Sequence, residues 1–203
     1  MSSRASILAA VKANKPEATP APPVMQLHNS TAIQYANAIE QFSTVAGSIG
    51  AVVHHVPDLT TIQKTWQQQL QDGQRVVNTI AAIGPVDNTV DIDTPAARLE
   101  TVDTAYITGS LAVAENAAIW VSEKNMVNRA LPFICKQLVL VVYEKQVVHN
   151  MHEAYSILPV AEDGYGAFIA GPSKTADIEQ SLVIGAHGPL GLTIYIVANT
   201  GQV

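Results

Sequence analysis

The chain has 203 residues, 48% of them hydrophobic and 14% charged, with a formal net charge of −6 at pH 7. That length suits one domain, or one domain with a short appendage, and the composition is that of a soluble globular protein. Lysines and arginines are scattered singly and no apolar run approaches the ~20 residues needed to span a bilayer, so neither a nucleic-acid partner nor membrane insertion is expected.

Residues 2–13 read as a short amphipathic helix capped by Ser2 or Ser3, with Ile7, Leu8 and Val11 on one side. Lys12 and Lys15 follow its apolar stretch, so it is no signal-peptide core, and a cytoplasmic protein is expected. Residues 14–24 carry four prolines and read as a stiff, extended tether. Three parts result: a helical arm over 1–13, the tether over 14–24 and an α/β domain over 25–203. The arm can pack on its own domain, on a second protomer or on another subunit, and the first is the plainer expectation.

Tyr35, Ile39, Phe42, Ala46 and Ile49 repeat at the helical period and predict a helix over 31–49. Gly50 turns the chain into a strand over 51–56. Leu59, Ile62, Trp66 and Leu70 share the face of a second helix closed by Gly73, and 75–80 is the next strand. Asp93-Thr94-Pro95 caps a short helix over 95–100 with proline at its first position. Short apolar runs follow at 105–107, 111–114 and 119–121, with Asn116 where a turn is needed. Residues 136–142 form the most buried-looking strand, 148–157 can be helical, and 166–170 and 192–197 complete the set. Strands alternating with helices predict an open, mostly parallel sheet flanked by helices.

Turn residues, hydroxyls, charges and an imidazole crowd together only in GPSKTADIEQ (171–180) and GAHGP (185–189). Gly171-Pro172 ends the strand ahead of it. Ser173 or Thr175 can cap a following helix that carries Ile178 and Leu182 on one face and stops at Gly185. In an open α/β sheet such a turn lies at the carboxyl end of a strand, where ligands usually bind. A helix start there offers free N–H groups to an anion. Gly171 and Gly188 allow close approach, Ser173 and Thr175 supply hydroxyls, and Lys174 a positive charge. Asp177 and Glu179 oppose this, because carboxylates in the first turns compensate the same dipole, and no phosphate-loop pattern is present. A ligand site and a merely well-capped helix both stay open. Asp177 and Glu179 are two residues apart and point to different sides, which favours structural roles for both.

His187 can act as an acid, base or hydrogen-bond donor at the sheet edge, or can fix its own turn. Glu115 ends an apolar run and is read as a candidate nucleophile or as a binding or turn-stabilising carboxylate. His54 and His55 alternate across a strand and cannot chelate one metal together. His149 and His152 lack an evident third ligand, and Asp91 and Asp93 read as loop and cap, so no metal site is expected. Cys135, the only cysteine, excludes an internal disulfide, an all-thiolate zinc site and an all-cysteine iron–sulfur cluster held by this chain alone. It reads as a core residue, as do Trp66 and Trp120.

GPSKTADIEQ followed by GAHGP resembles the signature of the lactate-utilization protein C family, the single-domain members of the LUD group. The opening SSRASILAAVKANKP is similar to that family's short N-terminal helix and Pro-rich linker. ITGSLAVAENAAIW (107–120) resembles its strand pair, although Glu115-Asn116-Ala117 departs from the family's Glu-Thr-Gly. The resemblance implies a fold like that of ribose-5-phosphate isomerase, class I coenzyme-A transferases and formyltetrahydrofolate cyclo-ligase. It also implies a role beside iron–sulfur proteins in L-lactate oxidation, with the clusters on partner subunits and no cofactor on this chain. Glu115-Asn116 further resembles the Ser-Glu-Asn-Gly segment of the coenzyme-A transferases, whose glutamate is the nucleophile, with Ala114 and Ala117 in place of serine and glycine.

Three readings follow. The chain is a non-catalytic or auxiliary subunit of a lactate-oxidising complex, or a stand-alone acyl- or phosphate-transfer or ligase-like enzyme using Glu115, Ser173, Lys174 and His187. In the third it is a binding module for a small carboxylate or phosphorylated metabolite. No nucleophile has an obvious base beside it, and no nucleotide fingerprint or metal-ligand spacing is present, which favours the first and third. Homo-oligomerisation is compatible with all three.

Overall fold

The computed structural model describes residues 3–16, 32–178, 181–184 and 188–198. The arm is a helix, α1 (Ser3–Ala13), and none of its residues is buried. Ile7, Leu8 and Val11 are 61%, 56% and 64% exposed. Most of the expected tether lies outside the described residues.

Helix α2 (Ala38–Ser48) starts seven residues later than its apolar period suggests. Asn37 is the reason: its extended backbone and its side chain, which accepts from the Ile39 and Glu40 amides, set the helix start there. Strand β1 (Val52–Val56), helix α3 (Thr60–Gln71) and strand β2 (Val76–Asn78) follow as expected. Helix α4 (Ala96–Leu99) leads to β3 (Thr104–Thr108), then β4 (Leu111–Val113) and β5 (Ala118–Ser122) form a hairpin. Short helices α5 (Glu123–Met126) and α6 (Leu131–Ile134) precede β6 (Gln137–Tyr143). A single 3-10 turn, Glu144–Gln146, then leads into β7 (Val147–Val148), α7 (Met151–Ile157), α8 (Val160–Asp163) and β8 (Gly166–Ile169). The described chain closes with β9 (Lys174–Ile178), β10 (Ser181–Ile184) and β11 (Gly191–Val197).

The strands do not form one open sheet. Five make an all-parallel sheet in the order β1-β11-β6-β3-β2, and four make a mixed sheet in the order β7-β4-β5-β8. The connections explain the division. Gly109-Ser110 alone separates β3 from β4, far too short for the crossover a parallel neighbour requires, so the chain leaves the first sheet and starts the second. Gly109 is required at that corner: a Cβ there would sit 2.4 Å from Ile119 Cγ2 and 2.6 Å from Val142 Cγ1.

The expected helix after Ser173 is also replaced. Residues 174–178 and 181–184 are the two arms of an antiparallel hairpin. Thr175, Ile178, Val183 and Ile184 are β-branched, and they favour a pleated hairpin over a helix whose apolar face rested on two residues. Gly185, expected to stop that helix, lies outside the described residues.

Both faces of the parallel sheet are covered, which accounts for the unbroken apolar run in β6. Leu138, Leu140 and Val142 face α2 and the mixed sheet in one cluster with Phe42, Ile107 and Ile119. Val139, Val141 and Tyr143 face α3, joining Ile62, Trp66 and Tyr106. Among the described residues no helix is long and apolar enough to cross a membrane.

Candidate functional site

The two turns singled out from the sequence do meet. β8 ends at Ile169, and Gly171 turns the chain in the left-handed region at φ 74°. A side chain is excluded there, because a Cβ would lie 3.0 Å from the Ile49 carbonyl oxygen at the end of α2. The Ser173 amide donates to the Pro189 carbonyl at 3.0 Å and ties the second turn to the first. Gly188 packs against Ser173 so closely that a Cβ would approach Ser173 Cβ to 2.9 Å.

A cavity of about 240 Å³ lies between these turns and α6, with Phe133, Leu138, Phe168, Gly171, Ser173 and Gly188 among its walls. Leu138 and Leu192 bring in the amino ends of β6 and β11. The position differs from the expected one. The turn follows the carboxyl end of β8, but β8 belongs to the mixed sheet, and relative to the parallel sheet the cavity is at the amino ends of the strands.

Its chemistry also differs. No helix begins at Ser173, so no helix N-terminus offers its free N–H groups to an anion there. Among the described residues, Ser173 carries the one side-chain hydroxyl of the lining and no charged side chain lines the cavity; Lys174 is exposed and next in the chain. An apolar group with a hydrogen-bonding end fits such walls better than a bare anion does. Thr175 and Asp177 lie in β9, which pairs with β10. Glu179 and His187 lie outside the described residues.

Glu115 is placed elsewhere. It is exposed, it does not line the cavity, and its Oε2 accepts the Met151 amide at 3.0 Å. It caps α7 together with Asn150, whose Oδ1 accepts the Glu153 amide. Of its expected roles, the structural one matches this geometry.

The remaining candidates have structural partners. His54 stacks on Tyr195 with ring centroids 5.1 Å apart, and His55 Nε2 lies 3.0 Å from Ser43 Oγ. Among the described residues no three His, Cys, Asp or Glu side chains converge as metal ligands would. Cys135 is 1% exposed, and burial pushes its thiol up to about 12. Trp66 and Trp120 are buried as expected.

One polar cluster escaped the sequence. At the carboxyl ends of β2 and β3, Thr79 Oγ1 lies within hydrogen-bonding reach of the Tyr106 and Asn125 carbonyls, and Asn125 Nδ2 donates to the Thr108 carbonyl. Asn125 Nδ2 also reaches Ser110 Oγ at 3.2 Å. These residues come from three separate stretches, and no spacing announces them. They satisfy one another and knit β2, β3 and α5 together.

A parallel five-stranded sheet whose third and fourth strands in sheet order run on into a mixed sheet defines an α/β protein of two coupled layers. The family model of the LUD domain matches residues 39–197, and the chain belongs to that family. It is 29% identical to Lactate utilization protein C of Geobacillus kaustophilus over 123 residues, covering 55% of this chain and 51% of that one. It is 38% identical to Lactate utilization protein C of Bacillus pumilus over 84 residues, 38% of this chain and 35% of that one. The aligned part is thus about half, or less, of the length of these curated relatives. A crystal structure of a DUF162 family protein from Deinococcus radiodurans superposes with a TM-score of 0.59 at 20% identity, over 82% of this chain and all of that one, and shows the same fold.

Proposed function

We propose that this chain is a non-catalytic subunit of an L-lactate-utilising iron–sulfur system, carrying no cluster itself and docking through its N-terminal helix. The observation that carries this is α1: Ile7, Leu8 and Val11 stand exposed on a helix with no buried residue. A helix whose apolar side is exposed is suited to a groove on another protein. The name of the relatives supplies lactate, and the single, buried cysteine favours clusters held by partners. The engagement of Glu115 in a helix cap weighs against nucleophilic catalysis there. The kinship with ribose-5-phosphate isomerase and coenzyme-A transferase folds is supported by the parallel sheet, and no activity is carried over from it.

A second reading rests on the cavity at Ser173, which suits a small metabolite held by its apolar part, with Lys174 near enough in sequence to meet a charged end.

The experiment is affinity purification of the tagged chain from its host grown on L-lactate, with mass spectrometry of what accompanies it. The expected result is cysteine-rich iron–sulfur proteins that disappear when residues 3–13 are deleted. Recovery of the chain alone sinks the subunit reading. Recovery that survives the deletion moves the interface from α1 to the domain.

A further inference from the structure

Residues 33–35 precede α2 and lie along the start of α7, held there by three hydrogen bonds. Asn150 Nδ2 donates to the Ile33 carbonyl at 2.9 Å, Gln34 Nε2 donates to Glu153 Oε1 at 2.6 Å, and the Tyr35 amide donates to His149 Nδ1 at 3.0 Å. The Tyr35 ring lies nearly parallel to the imidazole, with centroids 6.3 Å apart. The third bond is unlike the other two. A ring nitrogen accepts a hydrogen bond only while it carries no proton, and an imidazolium presents N–H at both positions. Protonated at Nδ1, His149 would set one N–H against another.

The backbone around the ring is anchored independently of its charge. The His149 amide donates to Glu153 Oε2 at 2.8 Å, and its carbonyl accepts the Glu115 amide at 3.1 Å. These anchors do not involve the ring, so the strap of 33–35 is the part that can leave.

We propose that His149 is a pH-dependent latch, its neutral imidazole holding residues 33–35 on α7 and its imidazolium releasing them. Histidine side chains as a class change charge between about pH 5 and 8. The titratable and charged side chains on the surrounding elements are His152, Glu153 and Tyr155 on α7, Glu115 on the β4–β5 turn, Tyr35 on the strap, Glu40 on α2, and Glu144 and Lys145 ahead of β7. For Glu153, against the raising effect of its burial, the bonds from Gln34 and the His149 amide and the charge of His149 lower the carboxyl from its ordinary value.

Release has two consequences. The hollow of about 250 Å³ walled by Tyr35, Asn37, Glu40 and Gln41 loses one side. The chain ahead of α2, α1 included, gains about 10 Å of reach, three residues at full extension. The latch stands or falls apart from the subunit reading, because it is read on the isolated protein.

The test is amide hydrogen exchange of the full chain at pH 8 and pH 5, with rates converted to protection factors and the Ala154 amide of α7 as internal control. Tyr35 is expected to lose about tenfold in protection at pH 5 while Ala154 keeps its own. In His149→Asn the side-chain Oδ1 takes the place of Nδ1 and does not titrate, so Tyr35 should be equally protected at both pH values. His149→Ala should show the low value at both. Equal protection of Tyr35 at pH 8 and 5 in the unsubstituted protein overturns the latch, and so does an equal fall in His149→Asn. If His149→Ala fails to fold, the comparison with His149→Asn decides alone.

Discussion

The Glu115 carboxylate accepts the backbone amide of Met151 at 3.0 Å, across a separation of 36 residues. The side chain that looks most like a nucleophile in the sequence is thus engaged at the first residue of a helix, where a carboxylate is favoured by the helix dipole. Glu115→Ala should destabilise the protein by about 1 kcal/mol, and Glu115→Gln, which keeps an acceptor, by less. Thermal unfolding of the two variants checks this. A drop of several kcal/mol, or turnover lost in Glu115→Gln with stability intact, would point back to chemistry at this carboxylate.

The cavity can be closed from one position. Gly188→Val places methyl groups where Ser173 already stands, since the first added carbon alone would lie 3.1 Å from Ser173 Oγ. A small aromatic probe such as indole should shift NMR signals of residues 171–173 in the native chain and leave them unmoved in the variant. The substitution should cost roughly 1–3 kcal/mol of stability through overpacking. Equal shifts in both proteins would show that the probe binds elsewhere.

Cys135 makes stability fall at alkaline pH. Burial lifts its thiol from 9.0 to about 12 in the folded chain. The unfolded chain therefore loses its proton first, and the contribution is intact below pH 9 and lost as the pH rises from there to about 12. At pH 10.5 the loss is about 2 kcal/mol, and burial raises the Tyr106 hydroxyl in the same direction. Urea midpoints at pH 8 and 10.5 measure the fall, and Cys135→Ala should make it shallower. In the folded state at pH 8 the thiol should also resist alkylation.

Ala117 stands at φ 56°, in the left-handed region, with its methyl fully buried. Ala117→Gly removes backbone strain of about 1 kcal/mol and gives up about 0.8 kcal/mol of methyl burial. The net change should be within about 0.5 kcal/mol, while Ala117→Val, strained and overpacked, should lose several times more. Chemical denaturation of the pair separates the two terms.

Most elements were legible because their periods were clean. Phe42 and Ala46 recur on one face of α2, and the β6 run could only be a strand covered on both sides. The second sheet was not legible. A strand of three residues such as β4 carries the same apolar signal in either sheet, and what assigns it is the length of the Gly109-Ser110 corner. The pairing of 174–178 with 181–184 was not legible, because Ile178 and Leu182 sit four apart and mimic a helical face, while the pairing of Lys174 with Ile184 has no periodic signal. Gly171, Ser173 and Gly188 were found as a group, since turn chemistry is local. The apolar character of their cavity was hidden, because Phe133, Leu138 and Phe168 arrive from elsewhere in the chain. The tie between Tyr35 and His149 gave no sign at all: a backbone amide has no letter of its own.

β1 finds its described sheet partner only in β11, Val52 lying opposite Thr193 and Val56 opposite Val197. During synthesis its five residues emerge well over a hundred positions before the strand they pair with. At the usual pace of translation that gap lasts on the order of 10–30 s. For that interval Val-Val-His-His-Val waits as an unpaired apolar segment, open to other nascent chains and to chaperones. β11, made after both β1 and β6, is inserted between them, so the sheet closes like a drawer rather than growing from one edge.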